Sequence, residues 1–214
     1  MMVDETHKSI VKSLICNIDN FKKMKIAIQG IRGSFHHIVA NQYFGENITL
    51  KECLSFTEIP ELLNDEMVEG AVMAIENSLA GSILPNYALI DEFNLSIQGE
   101  VHFPIHHHLM GLEGQSLSDI KEVWSHPMAL LQCRNFFRNH RNIKLVEESD
   151  TAEVARRIQK EKLKGIAAVA SKTAAEIYNL HIIENEIQTR KQNYTRFFVL
   201  KKSHSIALGN SSLQ

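Results

Sequence analysis

The chain has 214 residues, 44% apolar and 22% charged, which suffices for one large domain or two small lobes with real cores and excludes the disordered and fibrous classes. Lys and Arg number 23 against 25 Asp and Glu, a formal charge of −2 with no block of like charge, so neither nucleic acid nor an anionic membrane is expected as a partner. Three scattered cysteines, Cys16, Cys53 and Cys133, lack C-x-x-C spacing and argue against a disulfide framework or thiolate metal site, and no apolar run approaches the roughly eighteen residues of a membrane span.

In chain order, Ile10, Val11, Leu14, Ile15, Ile18 and Phe21 recur at three- and four-residue spacings and predict a short amphipathic helix within an N-terminal arm of residues 1–23. Its apolar stretch is too short for a signal peptide and no A-x-A site follows, so a cytoplasmic location is expected. From Met24 onward strands alternate with helices: Lys25–Ile28 then His36–Phe44, Leu50–Cys53 then Ile59–Asp65, Gly70–Ile75 then Leu84–Glu92. A second series has strands near Ser96–Pro104 and Glu122–Ser125, a helix over Met128–Asn139, a strand at Lys144–Glu147 and a helix over Thr151–Lys162. A strand at Ile166–Ala170 and a helix over Lys172–Tyr178 follow, and a last strand, Phe197–Leu200, precedes a polar tail at 201–214. The rhythm predicts an α/β fold with mostly parallel sheets, arranged as two βα lobes around a central cleft, where ligands favour the carboxyl ends of strands.

The candidate chemistry falls at those strand ends. Gly30-Ile31-Arg32-Gly33-Ser34 joins strand to helix and offers backbone N–H groups to an anion or, equally, a tight structural turn. Ile75-Glu76-Asn77-Ser78 ends an apolar strand in a carboxylate, a carboxamide and a hydroxyl, which fits either a polar site or a helix cap. His106-His107-His108 invites a metal reading, but only His106 and His108 would share a strand face, and hydrogen-bonded strand histidines explain the run as well. Ser125-His126-Pro127 with Gln132 opens a helix without the G-x-S-x-G elbow of a hydrolase. Thr195-Arg196 stands before a buried strand, where the arginine suits either a substrate carboxylate or a surface ion pair.

Taken together, these segments resemble the catalytic domain of prephenate dehydratase. Gly30–Phe35 is similar to its glycine turn, Ile75–Ser78 to its I-E-N-S segment, Pro104–Leu109 to its P-I-x-H-x-L strand, and Ser125–Cys133 to its S-H-P-Q-A-L-x-Q-C segment. Asp150-Thr151-Ala152 matches its D-T-A turn, Ala170-Ser171 with Ala174-Ala175-Glu176 its A-S…A-A-E helix start, and Asn193–Phe197 its N-x-T-R-F signature. Ile31, Ser34 and Met128 depart from proline, threonine and glutamine in the family's pattern.

The resemblance implies a fold like the type II periplasmic-binding proteins, with lobe 1 about 24–98 plus 188–200 and lobe 2 about 99–187. It implies a carbon–oxygen lyase that converts prephenate to phenylpyruvate in phenylalanine biosynthesis, with no cofactor and no metal. Thr195, Glu76, Asn77, Ser125 and Gln132 are then the catalytic candidates, and Arg196, Gly33, Ser34, Ser78, Ala170 and Ser171 the substrate-binding ones. Family members are commonly oligomers, so a homodimer is expected. Only fourteen residues follow Leu200, too few for the family's phenylalanine-binding ACT domain, and phenylalanine is expected not to inhibit. Arogenate, with an amine in place of the keto group, is the alternative substrate, and a non-catalytic two-lobed anion binder is the alternative from another class.

Overall fold

The structure, a computed structural model, describes residues 23–203. The predicted N-terminal helix and the tail beyond 203 lie outside the described residues.

The alternating pattern folds into two sheets. The first contains β1 (Met24–Gln29), β2 (Ile48–Cys53), β3 (Gly70–Asn77), β5 (Leu95–Pro104) and β11 (Tyr194–Lys202) in the order β2-β1-β3-β11-β5, with the short β4 (Gly81–Ser82) against β3. The second contains β6 (His108–Gly111), β7 (Glu122–Ser125), β8 (Lys144–Glu147), β9 (Ile166–Ala170) and β10 (His181–Glu184) in the order β10-β6-β9-β7-β8. Helices α1 (Phe35–Phe44), α2 (Glu58–Asn64) and α3 (Leu84–Glu92) cover the first sheet. Helices α4 (Pro127–Gln132), α5 (Arg134–Arg138), α6 (Thr151–Glu161) and α7 (Lys172–Ile177) cover the second.

Both faces of each sheet are buried, which is why β3 and β9 read as unbroken apolar runs rather than as alternations. Ile75, Met73 and Leu63 pack on one face of the first sheet, and Ile28, Val72 and Phe197 on the other. In the second sheet, Val123, Val169 and Leu109 face one core while Ala168, Ile158 and Met110 face the other.

The βα series predicts parallel pairing, and each sheet keeps it for three of its strands, but the strand that arrives from the other lobe runs the opposite way. β6 is antiparallel to β9, and β11 is antiparallel to both β3 and β5. β5 stays paired with β11 as far as Pro104, so the chain passes to the second lobe at 105–107, later than the expected boundary near 99. It returns before β11, and the two passages are tied together by the Ile105 N–H donating to the Asn193 carbonyl at 2.8 Å and the Ile187 N–H to the His107 carbonyl at 2.8 Å.

The helix expected over Met128–Asn139 is two helices. Cys133, with φ −99° and ψ 10°, ends α4, and α5 restarts at Arg134. Gln132 is therefore the last residue of α4, and its side chain meets Asn193, His107 and Asn77.

Candidate active site

Between the sheets lies a cavity of about 470 Å³, lined by residues that follow the carboxyl ends of β1, β2, β3, β5, β7 and β8 together with the start of β11. Register across the first sheet sets Thr195 directly opposite Asn77. The Asn77 side chain is nine-tenths buried, and its Oδ1 accepts the N–H groups of Leu79 at 2.9 Å and Ala80 at 3.0 Å. Backbone N–H groups can only donate, so this carboxamide has one orientation and its Nδ2 faces the strand. From there it donates to Thr195 Oγ1 at 2.9 Å, Asn193 Oδ1 at 2.8 Å and the Tyr194 carbonyl at 3.2 Å.

The polarity propagates across the interlobe gap. Asn193 has its Oδ1 committed to Asn77, so its Nδ2 donates to Gln132 Oε1 at 2.8 Å; Gln132 Nε2 reaches Asn77 Oδ1 at 3.4 Å. Gln132 Oε1 also faces His107 Nε2 at 2.9 Å, which makes that ring nitrogen the N–H donor and leaves Nδ1 with a bare lone pair. His107 is 3% exposed and its Nδ1 has no protein partner.

Two consequences follow for the cavity. Because Thr195 Oγ1 accepts from Asn77, its own proton is free, and the hydroxyl is a donor on the cavity wall. The other is electrostatic. Among the described residues lining the cavity there is no lysine or arginine, and the histidines are held neutral. Burial drives His36 down to about 3, and its Nε2 accepts the Ala74 N–H at 3.2 Å; burial takes His107 down to about 4 despite its bond to Gln132. His126 is likewise lowered by burial, its Nδ1 accepting the Met128 N–H at 3.2 Å. Asp150 is the exception in sign, its carboxyl raised by desolvation against the pull of the Glu153 and Ala152 N–H groups.

These shifts carry a stability prediction. The unfolded chain protonates His36 and His107 near 6.5, whereas the folded chain resists until about 3 and about 4. Stability from these two groups is complete above pH 6.5 and is lost as pH falls toward 4, at up to about 1.4 kcal/mol per unit per group. Chemical denaturation at a series of pH values should show this slope, and His36→Gln, whose amide oxygen can accept the Ala74 N–H without titrating, should reduce it by the share of His36.

The expected site residues divide. Thr195, Asn77, Gln132 and Ser34 line the cavity. Glu76 and Arg196 precede and follow the cavity-facing positions by one residue and do not line it: Arg196 donates to Glu100 at 2.6 Å and lies over the Phe198 ring at 4.9 Å, the ion-pair reading of that residue. Ser125 is fully buried and spends its proton on the Val169 carbonyl at 2.6 Å, holding β7 to β9. Ser78 accepts the Tyr194 N–H at 3.0 Å and clips the end of β3 to β11.

Gly33 and Ser171 meet each other rather than a ligand. Ser171 Oγ donates to the Gly33 carbonyl at 2.6 Å, and the Gly33 N–H is taken by His37 Nδ1 at 3.0 Å. Gly33 has φ +92°, and a Cβ there would stand 3.0 Å from Ala174 Cα, so this turn is where the lobes touch. Ala170 is fully buried just before it. Phe35 and His36, in the first turn of α1, line the cavity, and their N–H groups precede the first intrahelical carbonyl. His106 and His108 are tied to Gln188 and the Glu186 N–H, and no group of three ligating side chains among the described residues is placed to hold a metal ion.

Among the residues that the sequence did not assign are His107 and Asp150, which line the cavity, and Asn193, fully buried behind it. Asn193 is two residues before Thr195, hence on the same face of an extended chain, and that spacing was the available signal. Asp150 lies in the D-T-A turn, and His107 is the middle histidine that the shared-face argument set aside.

A family model described as prephenate dehydratase matches residues 26–205. The chain is 38% identical over 188 residues to arogenate dehydratase/prephenate dehydratase 2 of Arabidopsis thaliana, covering 87% of this chain and 48% of that one. The crystal structure of prephenate dehydratase with L-Phe from Arthrobacter aurescens superposes with TM-score 0.77 at 25% identity, over 85% of this chain and 61% of that one. A structure described as a quorum quenching acylase superposes with TM-score 0.74 at 31% identity, over 85% and 65%. The chain spans about half the length of the curated relatives it matches. No helix among the described residues is long and apolar enough to cross a membrane.

Proposed function

This chain belongs to the prephenate dehydratase family, and from that premise we propose that it converts prephenate to phenylpyruvate with loss of carbon dioxide and water, a step of phenylalanine biosynthesis. The observation that carries the proposal is the Thr195 hydroxyl, backed by the Asn77 amide and opening on the cavity.

Aromatisation drives the reaction, so the protein's task is to hold a ring with two carboxylates and ease the departure of its hydroxyl. Thr195 donates a hydrogen bond to that hydroxyl as negative charge builds on it, an interaction typically worth a few kcal/mol when fixed in place. Asn77 donates to the threonine oxygen and so keeps the threonine proton from turning inward, and Gln132, Asn193 and His107 keep Asn77 in place. One carboxylate is received by the first N–H groups of α1. Phe35, Phe197, Ile83 and Ile105 give the ring an apolar wall, and a poorly solvated carboxylate loses carbon dioxide more readily.

The acyl transfer named for one structural neighbour needs a hydroxyl with a base against it. Thr195 instead has an amide N–H against its oxygen, which favours the lyase. A homodimer and a cytoplasmic setting go with this proposal; light scattering tests the first. The reaction itself is tested by incubating the protein with prephenate at neutral pH and following phenylpyruvate by its absorbance in alkali. Saturable turnover is expected, and its absence at micromolar protein would refute the proposal.

A further inference from the structure

We propose that the outer edge of the second sheet, at β8, is a docking surface for an extended segment of a partner protein that carries acidic and large apolar residues. The inference is independent of what the cleft between the lobes does. A separate groove of about 490 Å³ lies between β8 and the helices α4 and α5. Leu130 and Phe137 form its buried floor, while Leu131 and Leu145 line it with 57% and 41% of their surface open to solvent. Apolar surface of this kind is normally covered when it has a partner.

The backbone beside the groove is also open. β8 is the last strand of its sheet. The Lys144 N–H donates to the Lys121 carbonyl at 2.9 Å and the Glu148 N–H to the Ser125 carbonyl at 2.9 Å, so alternate residues spend their backbone groups on the inner neighbour β7. Strand alternation turns the N–H and C=O groups of Leu145 and Glu147 outward, where among the described residues no strand pairs with them. The side chains of the same two residues line the groove. A strand added at this edge therefore sets every second side chain over the groove, the arrangement of peptide recognition by sheet extension.

Charge selects the occupant. Arg134 and Arg138 stand one turn apart on α5 and Arg141 follows it; all three are exposed on the groove, and among the described residues none has an ion pair or a side-chain hydrogen bond. Arg156, Arg157 and Arg196 are each paired, with Glu153, Glu148 and Glu100. Against the three arginines the groove sets only Glu147, a local surplus of positive charge on a chain whose formal charge is −2. Carboxylates on the incoming strand meet the guanidinium groups, and apolar residues between them cover the leucines. A second copy of the chain fits less well. Two β8 edges joined antiparallel about a twofold axis keep both α5 helices on one side of the joined sheet, where both sets of three arginines face only the two copies of Glu147.

The test uses the full chain and a fluorescent peptide, Glu-Leu-Thr-Glu-Thr-Leu-Thr-Glu, whose extended form sets leucine and glutamate alternately on one face. Anisotropy at low salt should show saturable binding with a Kd below about 1 mM. Arg134→Glu combined with Arg138→Glu should weaken it at least about fivefold at an unchanged melting temperature; if the reversal lowers that temperature, Arg134→Gln with Arg138→Gln repeats the measurement. A copy of the peptide with lysine for glutamate and a copy N-methylated along its backbone should each bind at least about fivefold more weakly, the first reporting charge and the second strand pairing. A smaller effect in any of these comparisons, or no saturation up to about 1 mM, overturns the inference. Light scattering addresses the other occupant: a wild-type dimer that Leu145→Asp converts to monomer assigns the edge to a second copy and also overturns it.

Discussion

Thr195→Ala is expected to lower kcat about 10²- to 10³-fold with little change in KM, the loss typical of removing one donor aimed at developing charge. The fold should survive, because Asn77 Nδ2 retains Asn193 Oδ1 and the Tyr194 carbonyl as acceptors and no buried donor is orphaned. Thr195→Ser keeps the hydroxyl in the same hydrogen bond and should recover most of the activity. Single-turnover kinetics on the folded variants separates the chemical step from product release. Wild-type turnover by the alanine variant would exclude Thr195 from the reaction.

The second large effect comes from reversing the polarity behind that hydroxyl. Asn77→Asp preserves shape, and the new carboxylate still accepts from Leu79 and Ala80, but it cannot donate to Thr195. The threonine proton then turns inward to the carboxylate and is withdrawn from the substrate. A fall in kcat comparable with that of the alanine variant is expected, with a stability loss of about 1–3 kcal/mol from the buried Asn193 Oδ1 left without its donor, while the Tyr194 carbonyl keeps the Ser78 N–H at 2.9 Å. Protonating the aspartate restores an O–H donor, so the activity of this variant should rise as pH is lowered through its carboxyl pKa, while Thr195→Ala stays flat over the same range. A variant as active as wild type, or one whose activity falls with acid, would show that the direction of this hydrogen bond does not matter.

Much of the fold was legible because the signals are local. Apolar runs of strand length, helix caps such as Asp150 and Ser171, and glycine turns recur at the positions where β1, β7, β9 and α6 begin and end. Which way β6 and β11 run was not legible, since their direction is decided by the crossing between lobes and not by their own residues. The break at Cys133 was also hidden: Met128–Asn139 has helical spacing throughout, and what interrupts it is tertiary, the Thr189 N–H bonding the Gln132 carbonyl at 2.8 Å.

For the site, the ordered motifs located the polar groups of the cleft, but contiguity in a motif does not mean a shared face. Strand alternation gives Asn77 and Thr195 to the cavity and their neighbours Glu76 and Arg196 to the far side. Ser125 ends its strand on the interior side, where β9 takes its hydroxyl. Asp150 and His107 become visible only when the fold is present, because each acquires its meaning from a partner or a gap more than twenty residues away.

The insertion of β11 between β3 and β5 also orders the assembly of the protein in time. The second lobe is one continuous stretch of chain and can close as soon as β10 has been synthesised, whereas the first lobe has a vacant centre until residues 194–202 emerge. Until then β3 and β5, both strongly apolar or long, carry unpaired edges, the kind of surface chaperones recognise and aggregates exploit. The contact that completes the sheet, Asn77 to Thr195, is also the contact that arms the hydroxyl, and at a separation of 118 residues it is among the slowest for a diffusing chain to find. A nascent chain is therefore without this hydrogen-bonded hydroxyl until β11 docks, and the event that forms it is the same one that completes the first sheet.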